Sequence, residues 1–250
     1  MRVQTDDNVL IAGLIITGNG AKKVLFRALG PSLKSNNVPI PGRLADPVLE
    51  LRDGNGALIT SNDDWKDSPQ RSEIEASGVA PESDKESVIL RTLDPNPYTA
   101  IVRGKDRTTG IGLIEAYDLD TSVASVLANI STRGFIETGD NVMIGGFIAG
   151  NHPGHTRILV RALGPSLKNV LPDALDDTFL ELHDRNGATV ATNDNWHENQ
   201  RAEIEATGIP PTDDFESAMV RTVIPDAYTV IVRGKDNAVG VGLVEIYNIK

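Results

Sequence analysis

The 250-residue chain contains no cysteine, few aromatic side chains and no long apolar run. The absence of cysteine excludes disulfides, thiolate zinc sites and cysteine nucleophiles. The apolar runs are far shorter than the roughly 20 residues of a transmembrane helix, so we expect no membrane span. Basic residues are also scarce, since 24 lysines and arginines face 35 acidic residues and leave a net charge of −11. Such a surface repels phosphate backbones, and we expect no nucleic-acid partner.

The amino terminus does not have the pattern of a secretory signal peptide, because Arg2, Asp6 and Asp7 surround no apolar core of the required length. We therefore expect either a cytosolic protein or the mature part of something longer. A cysteine-free composition fits both the bacterial cytosol and the bacterial exterior.

The dominant feature of the sequence is an internal repeat. Arg27-Ala-Leu-Gly-Pro-Ser-Leu33 returns as Arg161-Ala-Leu-Gly-Pro-Ser-Leu167, about 130 residues later. The same spacing relates several further pairs of segments, which are 49–57 and 180–188, 62–65 and 193–196, 73–78 and 203–208, 98–106 and 228–236, and 110–115 and 240–245. We predict two copies of one fold at 1–118 and 135–250, joined by a connector strand or linker at 119–134.

Each copy has the punctuation of β structure. Alternating residues at 48–52, the turn Asp53-Gly-Asn-Gly56 and a returning strand at 57–60 predict a hairpin. Other short strands end at glycine, proline or aspartate, and helix is limited to about two turns before Gly78 and its counterpart Gly208. The predicted fold class is all-β, with two homologous jelly-roll-like antiparallel β-sandwich domains in tandem.

One segment occurs only once. The connector contains Ser125-Val-Leu-Ala-Asn-Ile-Ser-Thr132 and precedes the second copy, whereas the first copy begins almost at the amino terminus. The first copy therefore lacks a strand that the second copy has, and a sheet missing a strand exposes unpaired backbone groups that invite another strand. We predict assembly through Val126, Ala128 and Ile130, or through the amino-terminal edge from Val9 to Ile15.

Two acidic turns offer oxygen ligands of the kind that calcium binds. The predicted ligands are Asn62, Asp63 and Asp64 in the first copy and Asn193, Asp194 and Asn195 in the second. Calcium is accordingly the one candidate cofactor, and the second site should bind it more weakly because Asn195 replaces a carboxylate. The alternative is that these side chains cap turns through their own backbone.

The only two tryptophans, Trp65 and Trp196, directly follow these turns. An exposed ring there could stack on a sugar, which would make the chain a glycan-binding module. The alternative is a large side chain that seals the end of a sandwich. Arg27 with Glu115, and Arg161 with Glu245, are predicted to pair across the sheet in a structural role.

No catalytic constellation emerges from the motifs. The repeated serines, Ser32 and Ser166, lie in Gly-Pro-Ser rather than Gly-x-Ser-x-Gly, and all four histidines fall in the second copy. Because the first copy has no histidine base for its serine, we expect the chain not to be an enzyme.

The segment Leu49 to Trp65, followed by Tyr98 to Gly104, resembles the bacterial pre-peptidase C-terminal type of β-sandwich, a module appended to secreted enzymes and surface proteins. The wider pattern from Asp140 to Tyr247 is similar to modules repeated in tandem in large secreted proteins of environmental bacteria. The resemblance implies an extracellular or cell-surface setting, jelly-roll-like sandwiches, sometimes calcium, and no catalysis. The Arg-Ala-Leu-Gly-Pro-Ser-Leu element departs from the pre-peptidase pattern.

Together these observations predict a non-catalytic extracellular structural module, such as a filament or surface-layer subunit that associates by strand pairing. Its partners would be further copies of itself or other surface proteins. The competing hypothesis is a carbohydrate- or protein-binding module of a secreted bacterial protein.

Overall fold

The computed structural model describes residues 1–150 and 154–249 and divides the chain into two compact units, Met1–Ala128 and Asn129–Lys250. The division falls within the segment predicted as a connector. Between Met1 and Ala128 the elements are β1 (Arg2–Val3), β2 (Leu10–Thr17), β3 (Lys22–Leu29), β4 (Lys34–Ser35), β5 (Val38–Pro39), β6 (Pro47–Asp53), β7 (Leu58–Asn62), α1 (Arg71–Ala76), β8 (Ser87–Leu93), β9 (Pro97–Gly104), β10 (Gly110–Ile111) and β11 (Leu113–Asp118).

The second unit repeats this order of elements. They are β12 (Val126–Ile136), which starts in the first unit, β13 (Met143–Ile148), β14 (Thr156–Leu163), β15 (Thr178–His183), β16 (Thr189–Asn193), α2 (Arg201–Glu205), β17 (Ser217–Val223), β18 (Ala227–Gly234) and β19 (Gly240–Asn248). Among the described residues, α1 and α2 are the two α-helices, and neither is long and apolar enough to cross a membrane.

The strands of each unit form antiparallel sheets. In the first unit β11, β3 and β8 form a three-stranded sheet, while β2, β9, β6 and β7 lie side by side in that order. In the second unit β13, β18, β15 and β16 form one sheet, and β17, β14, β19 and β12 lie side by side. The predicted all-β class and antiparallel sandwich architecture are confirmed.

Local sequence explains the hairpin between β6 and β7. Leu49 and Leu51 are fully buried, while the alternate residues Glu50 and Arg52 are more exposed, as expected for a strand with one face in the core. At the turn, an Asp53 carboxylate oxygen accepts hydrogen bonds from the backbone N–H groups of Asn55 and Ala57, both at 2.9 Å. Gly56 adopts a φ of +82°, which only glycine takes easily. The predicted hairpin is confirmed.

The repeated Arg-Ala-Leu-Gly-Pro-Ser-Leu motif has a structural role. Its serine, Ser32, donates from its hydroxyl to Glu86 Oε1 at 2.6 Å, and the backbone N–H groups of Gly30 and Ser32 donate to the same oxygen at 2.9 and 3.0 Å. Glu86 is fully buried, so these donors replace the water that its carboxylate loses. Ser166 and Glu216 form the same arrangement in the second unit.

The arginine of the motif forms the cross-strand ion pair predicted from the sequence. Arg27 lies directly opposite Glu115 in the β3–β11 ladder and pairs with its carboxylate, and it donates to Val79 O at 2.6 Å. In the second unit, Arg161 Nε lies 3.0 Å from Glu245 Oε2. The predicted pairs are confirmed, and they attach the loop after the short helix to the sheet.

Candidate functional site

The acidic turns hold their asparagines in structural hydrogen bonds. Asn62 Oδ1 accepts the backbone N–H of Val88 at 2.7 Å, and Asn62 Nδ2 donates to Asp64 O at 3.0 Å. Asn193 makes the equivalent bonds to Ala218 and Asn195. Both amides therefore connect the end of a strand to the strand that follows it in the chain, and the role of Asn62 and Asn193 as metal ligands stays a prediction.

The aspartates of the first turn instead meet an aspartate from a distant part of the sequence. Asp46, directly before β6, brings a carboxylate oxygen within 4.8 Å of oxygens of Asp63 and Asp64. Within the described residues, the Oδ1 atoms of Asp46 and Asp63 are shielded from solvent and accept no hydrogen bond. Shielded carboxylate oxygens without donors are costly, because neither water nor protein compensates their charge.

A lysine supplies part of the compensating charge. Lys105 Nζ lies 2.6 Å from Asp63 Oδ2 and 3.9 Å from Asp46 Oδ2. Burial raises the pKa of Asp46, with Lys105 opposing this shift and the charges of Asp63 and Asp64 adding to it. The hydrogen bond to Asp63 is the main reason that the pKa of Lys105 is raised. Lys85 Nζ also lies 3.7 Å from Asp46 Oδ2. The cluster is thus a carboxylate pocket whose ammonium groups, from Lys105 and Lys85, lie on the Oδ2 side.

The second unit repeats the pocket with one carboxylate fewer. Asp177 and Asp194 replace Asp46 and Asp63, Asn195 replaces Asp64, and Lys235 pairs with Asp194. The Oδ1 atoms of Asp177, Asp194 and Asn195 are shielded and accept no hydrogen bond within the described part of the chain. Burial, followed by the charge of Asp194, raises the pKa of Asp177. The same uncompensated oxygens therefore occur twice, at equivalent positions.

These oxygens fit a hard divalent cation in chemistry. Calcium prefers carboxylate and amide oxygens, and the first pocket offers three carboxylates where the second offers two and an amide. Asp46 and Asp177 were not among the ligands predicted from the sequence. The available signal was the comparison of the copies, since Leu44-Ala-Asp46 and Leu175-Asp-Asp177 hold an aspartate at the same place before a strand.

Both tryptophans are core residues. Trp65 and Trp196 are 5% and 8% exposed, and their indole N–H groups donate to Ser83 O at 2.9 Å and Asp213 O at 3.0 Å. Trp65 packs in a buried cluster with the side chains Leu25, Ile74, Val88 and Leu90, and Trp196 packs with Leu159, Ile204, Ala218 and Val220. Neither ring offers a face on which a sugar could stack, so the structure favours the alternative of a large sealing side chain.

The predicted assembly segment is largely paired within the second unit. Residues Asn129–Ile136 of β12 run antiparallel to β19, with Ile130 opposite Ile246 and Ile136 opposite Gly240. Val126 and Ala128, the other two predicted assembly residues, lie at the start of the same strand and belong to the first unit. Leu10–Ile15, within the predicted amino-terminal edge, pairs with β9. β12 and β2 are also neighbours in the strand order, so both predicted segments are already paired by the chain itself.

An uncovered edge lies elsewhere, on β11. This strand ends the order β11–β3–β8, and in the described residues no strand lies along its other side from Leu113 to Asp118. Within the described residues the cover of this edge is limited to Met1–Val3: β1 pairs Arg2 with Ile111 and Val3 with Gly110, and the backbone of Met1 pairs with Gly112. The asymmetry predicted from the sequence is confirmed, since the first unit has three residues where the second has β12.

Comparisons with known proteins give a weak structural likeness and no family match. No family model matches it, and no curated protein matches it. Among solved structures, it matches a chain of the PBCV-1 virus capsid, described as a quasi-atomic model, with 8% sequence identity and a TM-score of 0.24. That match covers 98% of this chain and 95% of the capsid chain. A likeness at this TM-score carries no argument about function.

Proposed function

We propose that the chain is a non-catalytic structural module that associates with further copies of itself by pairing strands at open sheet edges. The observation that carries this proposal is the uncovered side of β11, at the position where the second unit has β12. Along such an edge the backbone N–H and C=O groups have only water as partner, and a strand from another molecule can satisfy them.

A second edge supports the proposal. β13 ends its sheet in the second unit, and its sequence Met-Ile-Gly-Gly-Phe-Ile contains no charge and no proline. Ile144 and Ile148 are 51% and 76% exposed. Natural edge strands are usually protected by lysine, proline or a bulge, and an unprotected apolar edge favours association. Each unit thus contributes one edge suited to pairing.

The non-catalytic part of the proposal rests on the serines. The hydroxyl groups of Ser32 and Ser166 donate hydrogen bonds to Glu86 and Glu216. Both glutamates are fully buried and also accept hydrogen bonds from backbone N–H groups. These serines therefore serve as structural donors, and in the part of the chain that the structure describes neither forms the serine–histidine pair that an activated serine nucleophile needs.

Size-exclusion chromatography with light scattering over a wide concentration range tests the proposal. We expect an average mass that rises with concentration, and an edge charge that lowers it, as in Leu113→Lys on β11 or Ile148→Lys on β13. Val38→Lys is the matched control, because Val38 is 64% exposed on β5 and adds the same charge away from both edges. A chain that stays monomeric at every concentration would refute the proposal.

We also propose that the two carboxylate pockets bind calcium. The supporting observation is that shielded oxygens without hydrogen-bond donors recur at the same positions in both units. A cation would have to compete with Lys105 or Lys235 for the carboxylates, which favours weak binding in the range of extracellular calcium modules. An extracellular setting, as the family resemblance implies, would supply the concentration that such sites need.

Thermal unfolding in chelator and in millimolar calcium tests this second proposal. Binding to the folded state alone raises the unfolding temperature, and Asp46→Asn together with Asp177→Asn should remove the shift. Glu82→Gln is the control, since Glu82 is an exposed carboxylate paired with Lys34 away from the pocket. Equal unfolding temperatures in chelator and calcium would overturn the assignment.

A further inference from the structure

We infer that the open edge of β11 is a receptor for one kind of strand, an antiparallel segment with the sequence pattern of β12 held in a defined register. This inference rests on the proposed function and names its partner. The partner is an extended peptide, supplied by another molecule, that matches Asn129–Arg133, the part of β12 that lies beyond the positions filled by Met1–Val3 in the first unit. The second unit provides the template, because there this strand occupies the equivalent edge.

In the first unit, β1 occupies the position that the end of β12 occupies in the second unit. Val3 lies opposite Gly110, as Ile136 lies opposite the equivalent Gly240. Both side chains are fully buried. The first unit therefore already contains the last position of the receptor–strand pairing, in the same direction.

A pair of glycines fixes this contact in both units. A Cβ atom on Gly112 would lie 2.9 Å from Val3 Cγ2, and one on Gly242 would lie 2.5 Å from Ile136 Cδ1. The absence of a side chain at this position lets the incoming residue enter the core. In the first unit the backbone of Met1 also pairs with Gly112, its amino group donating to Gly112 O at 3.0 Å and its carbonyl accepting Gly112 N at 2.8 Å.

Beyond Gly112, the side chains of β11 are less buried than their equivalents on β19. Val244 and Ile246 of β19 are 1% and 6% exposed beneath β12. Their equivalents on β11 are Ile114, which is half-buried, and Ala116, which is exposed. The strand on the other side does not explain this difference, because β3 pairs with β11 as β14 pairs with β19. Leu113 is 39% exposed. A β12-type strand would cover this apolar stretch, and removal of that surface from water favours binding.

The side chain of Asn129 is a buried polar group that selects the register of the pairing. In β12, Asn129 is 4% exposed and donates from Nδ2 to Ile246 O at 3.4 Å. The equivalent acceptor on the open edge is the carbonyl of Ala116. A strand shifted by one residue would turn Asn129 to the other face and would bury its apolar residues on the wrong side, so the pairing should be specific.

Binding of a labelled synthetic peptide to the whole chain tests the inference. The peptide copies Ser125–Arg133, which ends before the positions that Met1–Val3 occupy, and we expect saturable binding by fluorescence anisotropy. The same peptide with Ile130→Pro should not bind, because proline removes a ladder donor and bends the strand. A peptide with Asn129→Ala should bind about tenfold more weakly, as expected for one lost buried hydrogen bond.

Disulfide trapping tests the register, and the cysteine-free chain gives no background. Arg133 lies opposite Leu243, whose equivalent is Leu113. A chain with Leu113→Cys should therefore form a disulfide rapidly with a peptide carrying Arg133→Cys and slowly with one carrying Thr132→Cys, whose side chain faces the other way. Absence of binding, or equal trapping by both peptides, would overturn the inference.

The outcomes separate this inference from the proposed function. If the chain is monomeric and binds the peptide in register, self-association is refuted and the receptor assignment stands. If the chain self-associates but the peptide neither binds nor dissociates the assembly, self-association stands and the receptor assignment is refuted.

Discussion

β11 of the first unit and β19 of the second unit have nearly the same sequence and differ in environment. Gly110-Ile-Gly-Leu-Ile-Glu115 and Gly240-Val-Gly-Leu-Val-Glu245 pair with equivalent strands, β3 and β14, through equivalent arginines. Only β19 has β12 on its other side. Its Val244 and Ile246 are buried, whereas the equivalent Ile114 and Ala116 of β11 are half-buried and exposed. The comparison shows that burial in a sheet is decided by the neighbouring strand as much as by the residues themselves.

The largest expected effect concerns a feature that the units share. Glu86→Ala and Glu216→Ala should each destabilise their own unit by about 3 kcal/mol, because each leaves buried backbone and hydroxyl donors without an acceptor. Trp196→Phe leaves Trp65 as the fluorescent reporter of the first unit, and Trp65→Phe leaves Trp196 for the second. Denaturant unfolding of these single-tryptophan chains measures both losses.

The control for this prediction is Glu82→Ala, since the Glu82 side chain is 73% exposed and its loss should change stability little. Unequal losses for Glu86 and Glu216 would break the equivalence of the two units at their most buried charge.

The next prediction concerns β1 and β12, which differ in length but place a fully buried side chain, Val3 or Ile136, at the same position. Ile136→Ala should cost the second unit about 3 kcal/mol, since a fully buried side chain leaves a cavity. Val3→Ala should cost the first unit about 1 to 2 kcal/mol, because fewer atoms are removed. Unfolding of the single-tryptophan chains is again the measurement. A negligible effect of Val3→Ala would contradict the equivalence of β1 and the end of β12.

A smaller effect is expected from pH. Burial, then the charge of Glu245, raises the pKa of Tyr247 from 10.0 to about 12. A group whose pKa is raised by folding contributes its full stabilisation below the unfolded value, so stability should fall as the pH rises from 10 to about 12. After allowance for partial exposure the loss is about 1 to 2 kcal/mol. Tyr247→Phe should flatten this dependence, and ultraviolet difference titration should show the late ionisation directly.

The smallest expected effect distinguishes the two carboxylate pockets. Calcium should stabilise the first unit more than the second, because Asn195 replaces Asp64. Exchanging these residues by Asp64→Asn and Asn195→Asp should reverse the order, with differences of about 1 kcal/mol in saturating calcium. Single-tryptophan unfolding with and without chelator is the measurement, and an unchanged order would show that these positions do not ligate the ion.

Much of the fold could be predicted from local patterns. The hairpin at Asp53–Gly56 follows from turn chemistry, and the Arg27–Glu115 pair follows from the repeat of both residues on short strands. The missing strand of the first copy was visible because the connector had no counterpart. The carboxylate pocket was only half predicted, since Asp46 is brought to Asp63 by the packing of strands distant in sequence. The burial of Trp65 also depends on residues from separate elements.

The sequence by itself determined the duplication, the strand-rich class and the turns, because these depend on residue type and spacing along the backbone. Only the tertiary structure decided which edge is open, which asparagines are structural and which oxygens lack donors. Each of these depends on what lies beside a residue in space. In the first unit that neighbour is missing along β11, and no pattern within Leu113–Asp118 records its absence.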